Sequence, residues 1–479
     1  MVENLDETVE LNQICRTPEQ LRRWVKTFLK LNVPMQAVCP KHNSPLEYLW
    51  SAYHEPAEDL VVWAPRGGGK TRLAAVATLL DLLHKPGCGV RVLGGSLDQS
   101  LRLWEHLLPD LEDHLDENEK SQLRRASRKV RLASGSSAAA LPQSERAVRG
   151  LRVQKLRCDE VEMFDPHIWE AAQLVTRSIT DANGSSIRGS IEAISTFHRP
   201  GGLMQRIIDR AEEHGSPRVL KWCLLDVLER CPEERKCETC PLLDDCGRVA
   251  KTRCDGFFSI DDAIRLKHRV SLDTWQSEML CRRPVVSDCV FPNFDSEIHV
   301  RSYIGSPQVG QICLAMDFGF HNPFACLWIV DDGVACHVID EYVQPMRTIG
   351  DHVDQIRTRS HGTVKHICCD PAGAARNDHT AESNIGYLRK EGYRVHSCKS
   401  SIIDGLELIR CGLRPAAGQP TLFISPNCKQ LISAFKSLKY PKGGGELPLK
   451  DGTHDHPIDA LRYFYVNRTK LIIEPPRRY

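Results

Sequence analysis

The sequence predicts an α/β fold with two sheets, the first parallel and the second mixed, and a small cysteine-rich insertion between them. In the first half, short apolar strands alternate with helical segments, which is typical of a parallel sheet covered by helices. In the second half, an apolar strand passes through a glycine turn into another apolar strand, which predicts a hairpin. The chain has 479 residues, enough for more than one hydrophobic core.

The composition is that of an ordinary globular protein, with 41% hydrophobic and 26% charged residues. The net charge of +1 argues neither for nor against a polyanionic partner. No apolar run is long enough to span a membrane, and residues 1–7 are acidic where a signal peptide would be basic and then apolar. We therefore expect a cytoplasmic protein without a membrane partner, whose 20 cysteines are thiols or metal ligands rather than disulfides.

Residues 64–71 read A-P-R-G-G-G-K-T and lie between the apolar strand Leu60–Trp63 and a predicted helix. Such a loop binds nucleotide phosphates through backbone N–H groups and the helix N-terminus. Lys70 would reach the β- and γ-phosphates, and the Thr71 hydroxyl would bind Mg²⁺. The residues predicted to bind ATP here are Arg66, Gly67, Gly68, Gly69, Lys70 and Thr71. Because Ala64 replaces the usual first glycine, a glycine-rich turn before an ordinary helix is the alternative.

The next strand with candidate site residues is predicted over residues 153–160, and it ends in an acidic pair. Asp159 would bind Mg²⁺, directly or through water, and Glu160 would orient and activate the attacking water. A solvent-exposed turn would explain the same pair. Arg66, Arg149 and Arg152 are candidates for stabilising the transferring phosphoryl group, or are plain surface arginines.

The predicted strand over residues 190–196 ends in Ser195 and Thr196. These hydroxyl groups would lie where the state of the nucleotide can be sensed, although a helix cap or a turn is an equal alternative. Two clusters of basic residues precede this strand, and each is explained by a solvated face or by contact with nucleic acid. The first consists of Arg124, Arg125, Arg128, Lys129 and Arg131, and the second of Arg146, Arg149, Arg152, Lys155 and Arg157.

Four cysteines lie close together in a charged, turn-rich segment, with Cys254 beyond them: Cys231, Cys237, Cys240 and Cys246. Four thiolates at this spacing suit tetrahedral Zn²⁺, which would stabilise a small insertion that lacks a core. Free thiols and an iron–sulfur cluster are the alternatives.

Three aspartates in the second half close predicted strands or open a predicted helix. Asp317 and Asp370 each end an apolar strand, and Asp459 lies in the first turns of the helix that begins near Asp455. Three such carboxylates can bind two divalent ions about 4 Å apart, which activate water and stabilise the leaving oxygen of a phosphodiester. Each aspartate alone is also a common cap or turn residue. Asp455 is the competing third ligand, but Asp459 lies on the same side of the helix as His456, which could tune the site. This order of elements favours an RNase H-like nuclease.

Taken together in this order, these motifs resemble those of the large terminase subunits of tailed bacteriophages. The resemblance extends from about Ser44 to Asn467 and includes two connector segments, Trp275–Leu280 and Val290–Phe294. The cysteine cluster is not a general feature of that family.

The resemblance implies an ASCE-type (RecA-like) P-loop ATPase coupled to an RNase H-like endonuclease that cuts concatemeric DNA. It assigns ATP binding to Arg66–Thr71, Mg²⁺ binding to Asp159, hydrolysis to Glu160 and coupling to Ser195 and Thr196. It assigns two Mg²⁺ or Mn²⁺ ions to Asp317, Asp370 and Asp459. It also implies double-stranded DNA, a portal protein, a small terminase subunit and further copies of the chain in a ring as partners, in the cytoplasm of the infected host.

The expected domains follow from these assignments. They are an N-terminal helical segment (1–50), the ATPase domain (51–228), the cysteine-rich insertion and linker (229–300) and the nuclease domain (301–479). A helicase- or repair-type ATPase fused to a nuclease uses similar parts, but the sequence between the two halves is too short for a second RecA-like lobe. A non-catalytic DNA-binding scaffold would leave the acidic residues unexplained.

Overall fold

The computed structural model describes residues 10–54, 58–180, 186–197, 201–284, 288–305, 312–359, 361–376, 382–441, 445 and 447–473. The chain divides into two compact units. The first consists of Met1–Arg265 with Thr274–Val285, and the second of Leu266–Asp273 with Val286–Tyr479. The segment predicted as insertion and linker, 229–300, therefore contributes residues to both units.

The first unit is built on a sheet flanked by helices. Its strands are β1 (Leu60–Trp63), β2 (Gly89–Gly94), β3 (Arg124–Ala126), β4 (Lys129–Arg131), β5 (Ser137–Leu141), β6 (Lys155–Asp159), β7 (Ile179–Thr180), β8 (Ser186–Ile187), β9 (Ser190–Ser195) and β10 (Arg218–Lys221). Its helices are α1 (Pro18–Leu29), α2 (Pro45–Tyr53), α3 (Lys70–His84), α4 (Leu97–His114), α5 (Glu117–Gln122), α6 (Glu145–Val148), α7 (Pro166–Ala172), α8 (Leu203–His214), α9 (Leu243–Cys246) and α10 (Val249–Thr252). Helices α11 (Ile260–Lys267) and α12 (Leu272–Thr274) cross the unit boundaries, and a π-helical turn spans Trp275–Met279.

The main sheet of this unit has the order β10-β1-β9-β6-β2-β5-β4-β3. The first six strands are parallel, and β4 pairs antiparallel with both β5 and β3. Trp63 of β1 aligns with Ser195 of β9, and Asp159 of β6 aligns with Ile194 of β9. The three strands therefore end at one edge of the sheet, within a residue of one another.

Helix α3 lies in the interior of the unit. Twelve of its fifteen residues are buried, because alanine, valine and leucine occupy its whole circumference and α2 and α4 pack against it. Its N-cap is Gly69 in the left-handed conformation, at the end of the phosphate loop. The core of the unit surrounds this helix and the strand before it.

Strand β6 carries two basic residues and is nevertheless completely buried. Arg157 donates to Asp81 at 2.7 Å, approaches Glu192 to 3.1 Å and donates to the Thr78 hydroxyl at 3.2 Å. Lys155 donates to the Ser190 hydroxyl at 3.2 Å. Buried charges persist when they are paired and hydrogen-bonded.

The second basic cluster was expected to form a solvated face or to contact nucleic acid. Both expectations are wrong for Lys155 and Arg157, because these two side chains are buried. Arg146, Arg149 and Arg152 of that cluster are exposed. The first basic cluster lies on the edge hairpin β3–β4, and all five of its side chains are exposed.

The second unit is built on a six-stranded mixed sheet. Its strands are β11 (Ile312–Asp317), β12 (Phe324–Asp331), β13 (Cys336–Gln344), β14 (Val364–Cys369), β15 (Val395–His396) and β16 (Leu422–Ile424). Its helices are α13 (Ser296–His299), α14 (Ile349–Arg357), α15 (Asn384–Lys390), α16 (Ile402–Leu413), α17 (Lys429–Ser437) and α18 (Asp455–Ile473).

The order of this sheet is β15-β14-β11-β12-β13-β16. Strands β11 and β12 form the predicted hairpin, β13 extends it into an antiparallel meander that was not predicted, and β14 pairs in parallel with β11. Alternate residues of β11 enter two different cores, one on each face of the sheet. Helix α18 covers the face that receives Cys313 and Ala315. The predicted fold class, a parallel-rich sheet followed by a mixed sheet, is confirmed.

Among the residues that the structure describes, no helix is both long enough and apolar enough to cross a membrane.

Candidate active sites

The phosphate loop is closed by glycines in conformations that other residues rarely adopt. Gly67 and Gly69 have φ angles of +68° and +82°, in the left-handed region that favours glycine. A Cβ on Gly67 would also lie 2.6 Å from the ring of Phe258. Trp222 donates its indole N–H to the carbonyl of Gly68 at 2.9 Å. Residues distant in sequence therefore hold the loop in the shape that its glycines permit.

Lys70 and Thr71 begin α3 directly after this loop. The Lys70 ammonium group donates to the carbonyl oxygens of Ala64 and Pro65 at 3.3 and 3.0 Å. The Thr71 hydroxyl donates to Asp159 Oδ2 at 2.8 Å. The structure thus brings together the predicted phosphate lysine, the predicted metal hydroxyl and the predicted metal carboxylate.

Asp159 is 2% exposed, and burial raises its pKa to about 6, with a further increase from the neighbouring Glu160. Among the described residues its Oδ1 atom has no hydrogen-bond partner. A buried carboxylate oxygen without a partner, beside a threonine hydroxyl, fits the hard oxygen ligands that Mg²⁺ prefers.

Glu160 lies immediately beyond β6 with φ of +55°, an uncommon value for a residue other than glycine. This backbone places Glu160 Oε1 4.0 Å from the Lys70 ammonium nitrogen. Ser195, at the end of β9, donates its hydroxyl to Glu160 Oε2 at 3.3 Å. Thr196 follows it and is buried. The predicted coupling serine therefore contacts the predicted hydrolytic glutamate directly.

The three candidate arginines differ in their surroundings. Arg66 forms an ion pair with the Glu278 carboxylate, and its backbone N–H donates to the Glu278 carbonyl at 3.1 Å. Arg149 and Arg152 are exposed. Glu278 was not predicted as a site residue, although it lies in the connector segment Trp275–Leu280. Its charge, opposite to that of Arg66, was the available signal, but the two residues are 212 positions apart in the sequence.

In the second unit, the three predicted carboxylates are carried by β11, β14 and α18. Asp317 is the last residue of β11, Asp370 directly follows the adjacent β14, and Asp459 lies one turn inside α18. Asp370 caps the short 3₁₀ turn Pro371–Ala374, with its Oδ1 accepting from the Ala372 N–H at 2.9 Å. The turn packs closely, since a Cβ on Gly373 would lie 2.3 Å from the Phe318 ring.

Asp317 is buried and accepts a hydrogen bond from His456 Nδ1 at 2.7 Å. Burial raises the pKa of Asp317 to about 6; the bond to His456 opposes this rise, and the carboxylates of Asp459 and Asp370 add to it. The bond to Asp317 in turn raises the pKa of His456. Three mutually repelling carboxylates therefore share one site.

Asp459 and Asp455 have different partners on α18. Asp459 accepts from Arg462 Nε at 2.8 Å and lies 3.9 Å from the Lys450 ammonium nitrogen. Asp455 is buried, its Oδ1 lies 4.0 Å from His456 Nε2, and among the described residues neither atom has a hydrogen-bond partner. Asp459 is among the carboxylates that raise the pKa of Asp317. Sequence reasoning missed Lys450 and Arg462, although Arg462 follows Asp459 at helical spacing.

The four cysteines of the predicted zinc cluster line one cavity of the first unit. Cys231 is buried, and Cys237, Cys240 and Cys246 are partly buried. In the described part of the chain, however, a different set of metal-ligand side chains has all its ligand atoms within 4.8 Å of one another. It consists of Cys39, His42, Cys223 and Asp226.

The second unit contains a segment that matches a known protein family. Residues 314–468 match the family of the terminase RNaseH-like domain. This stretch of the chain is therefore similar to terminase RNaseH-like domains. Asp317, Asp370, His456 and Asp459 all lie within it. A comparison with curated proteins finds no match.

Solved large terminases extend the likeness beyond the terminase RNaseH-like domain. The large terminase of the thermophilic bacteriophage D6E aligns with 89% of this chain and 98% of its own, at 16% identity and a TM-score of 0.52. The same terminase in complex with ATP-gamma-S aligns over 88% and 98%, at 15% identity and a TM-score of 0.52. The HK97 bacteriophage large terminase aligns over 95% and 99%, at 13% identity and a TM-score of 0.40. The D6E alignments confirm that the chain has the large-terminase fold, an ATPase unit plus an RNase H-like unit.

Proposed function

We propose that this chain is a terminase large subunit, an ATP-driven motor that moves double-stranded viral DNA into a procapsid and cuts concatemeric DNA. The observation that supports this most is that one chain carries both a phosphate loop facing an Asp-Glu pair and a stretch similar to terminase RNaseH-like domains, with carboxylates around the buried Asp317. The D6E large terminase, whose fold the chain shares, has been solved with ADP and with ATP-gamma-S.

In the ATPase unit, the loop from Arg66 to Thr71 binds the nucleotide phosphates. Thr71 and Asp159 hold the Mg²⁺ of MgATP, which neutralises charge on the phosphates. Glu160 orients the attacking water and accepts its proton. Ser195 and Thr196 transmit the change at Glu160 to the adjacent strands.

The arginines have separate places in this scheme. Arg66 stabilises charge on the transferring phosphoryl group once it leaves Glu278. Arg149 and Arg152 are exposed, so either one can act on the nucleotide of a neighbouring copy in a ring.

In the nuclease unit, Asp317, Asp370 and Asp459 would hold two Mg²⁺ or Mn²⁺ ions, and the chemistry that such ions would supply is activation of a water and stabilisation of the leaving oxygen. Their carboxylates suit a hard divalent cation, and their mutual repulsion is relieved when the cation binds. His456 orients Asp317 and opposes its protonation, as hydrogen-bond partners of metal ligands commonly do.

The expected partners are double-stranded DNA, a portal protein, a small terminase subunit and further copies of this chain in a ring on the portal. The expected location is the cytoplasm of the infected bacterium. Zn²⁺ bound by Cys231, Cys237, Cys240 and Cys246 would stabilise the insertion that they line.

The purified full-length chain provides the test. It should hydrolyse ATP faster in the presence of duplex DNA, and it should cut plasmid DNA when Mg²⁺ or Mn²⁺ is added. It should not separate the strands of a short duplex. ATP-dependent strand separation would instead support the helicase-type alternative, and absence of metal-dependent cutting would reject the nuclease assignment.

A further inference from the structure

A second group of potential metal ligands lies in the first unit, apart from the cysteine-rich insertion. Two short segments supply it, Cys39-Pro-Lys-His42 ahead of α2 and Cys223-Leu-Leu-Asp226 after β10. Each has its two potential ligands three positions apart, the spacing common in zinc-binding loops. The four ligand atoms all lie within 4.8 Å of one another.

The separations are close to those of a tetrahedral zinc site. Cys39 Sγ lies 3.5 Å from Cys223 Sγ, and two sulfur ligands of one zinc ion lie about 3.8 Å apart. His42 Nδ1 lies 2.6 Å from Asp226 Oδ2, whereas nitrogen and oxygen ligands of one zinc ion lie about 3.3 Å apart. Small side-chain rotations would therefore admit the ion, which would take the place of the proton shared by His42 and Asp226.

Backbone hydrogen bonds already fix both segments around Asp226. Its Oδ1 accepts from the N–H groups of Val38 and Cys39 at 2.7 and 2.9 Å, and its Oδ2 accepts from the Cys223 N–H at 2.8 Å. Lys41 adopts a positive φ of 60° in the turn between Cys39 and His42. Cys223 and Asp226 are each 2% exposed. The ligands are thus preorganised by their own loops, and two of the four are shielded from water.

We propose that Cys39, His42, Cys223 and Asp226 bind one zinc ion. Two sulfurs, an imidazole nitrogen and a carboxylate suit zinc, whereas Mg²⁺ prefers oxygen ligands alone. With four protein ligands the site is closed, which is the coordination of a structural zinc. None of the four residues belongs to the cluster Cys231, Cys237, Cys240 and Cys246.

The position of the site gives the ion a structural role beside the phosphate loop. Cys223 follows Trp222, whose indole N–H donates to the Gly68 carbonyl. On the other segment, Asn43 follows His42, and its N–H donates to the Lys221 carbonyl at 2.6 Å. Zinc would therefore link the chain ahead of α2 to the end of β10, next to Trp222, which contacts the phosphate loop.

Metal analysis of the full-length chain, purified without added metal, tests the proposal. Cys39→Ser and His42→Ala should each contain about one zinc equivalent less than the unsubstituted protein. Cys398→Ser, a cysteine substitution in the second unit, should leave the zinc content unchanged. Cys237→Ser with Cys240→Ser addresses the other cluster and should leave the Cys39 site loaded. An unchanged zinc content in both Cys39→Ser and His42→Ala would overturn the proposal.

Alkylation of the unsubstituted protein tests the site even if the variants fail to fold. Cys39 is partly exposed, so a bound zinc ion should protect it from a thiol reagent until a chelator is added, as judged by peptide mass spectrometry. Equal labelling of Cys39 with and without chelator would overturn the proposal. So would a disulfide between Cys39 and Cys223 in protein purified without oxygen.

Discussion

Asp159 of the first unit and Asp317 of the second unit occupy equivalent places in two different sheets. Each is the last residue of a buried strand, and burial raises the pKa of each to about 6. Their partners differ. Asp159 accepts from the Thr71 hydroxyl, and the Lys70 ammonium lowers its pKa, whereas Asp317 accepts from His456 and lies near two more carboxylates.

The difference lies in the source of the negative charge at each candidate site. Under the proposed function, the loop of the first unit presents backbone N–H groups and a lysine because the substrate would supply the phosphates and arrive with its metal. In the second unit the protein itself supplies the negative charge of the proposed metal site, and the cations would come from solution. The nuclease should therefore depend more steeply than the ATPase on free divalent metal.

The largest expected effects come from one isosteric substitution in each unit. Glu160→Gln removes the group that activates water and should lower the ATPase rate by at least ~100-fold. Asp317→Asn weakens metal binding and should lower plasmid cutting at least ~100-fold. Each variant should retain the other activity within about two-fold. Equal loss of both activities in a variant that remains folded would break the separation of the two sites.

A matched pair on α18 tests the third nuclease ligand. Asp459→Asn should reduce plasmid cutting by about 100-fold, because Asp459 adds to the charge at Asp317. Asp455→Asn makes the same chemical change one turn earlier and should cost less than about 10-fold. A titration of cutting against Mn²⁺ concentration measures both variants, and the reverse ranking would assign the ligand to Asp455.

His456 should show a smaller effect that depends on pH. His456→Ala removes the hydrogen bond that lowers the pKa of Asp317, and should reduce cutting by about 10- to 100-fold. The lower limb of the pH–rate profile should also move to higher pH, because Asp317 is then harder to ionise. His456→Asn, which can donate from its amide, should recover part of the loss. An unchanged pH profile in the alanine variant would argue for a purely steric role.

The smallest expected effect is on stability. The folded-state pKa of Asp317 lies above its usual 3.8, so folding favours the protonated form, and stability should increase as pH falls through about 6 toward 4. At pH 7.5, without added divalent metal, Asp317→Asn should therefore be more stable to urea by about 1–3 kcal/mol, and the gain should shrink at pH 5.

Asp451→Asn provides the control of opposite sign. Hydrogen bonds from the backbone and side chain of His454 outweigh burial and lower the pKa of Asp451 to about 2. This variant should lose stability at pH 7.5. If both variants shifted stability in the same direction, electrostatics would not be the cause.

Local patterns in the sequence were sufficient for the main elements. The strand before the phosphate loop, the helix after it and the strands ending at Asp159, Ser195, Asp317 and Asp370 all form as predicted. These motifs are local, since each depends on apolar periodicity and on turn residues within about ten positions. The roles of the residues at those ends stay predictions.

The sequence pattern failed where pairing joined distant positions. Lys155 and Arg157 were expected on a solvated face or in contact with nucleic acid, but Asp81 of α3 and Glu192 of the adjacent strand β9 neutralise Arg157 in the core. Glu278, which lies in the segment predicted as a connector, forms an ion pair with Arg66.

The sequence by itself determined the main strands and helices that carry the candidate sites and the side chains at their ends, because those features follow from local backbone preference and periodic burial. Only the tertiary structure decided which of those side chains share a site. Cys39 and Cys223 are 184 residues apart in the chain and 3.5 Å apart in space. The spacings Cys39-x₂-His42 and Cys223-x₂-Asp226 are present in the sequence. A tetrahedral ligand set, however, requires four ligand atoms in one place, and only the packing of β10 against the chain ahead of α2 brings them together.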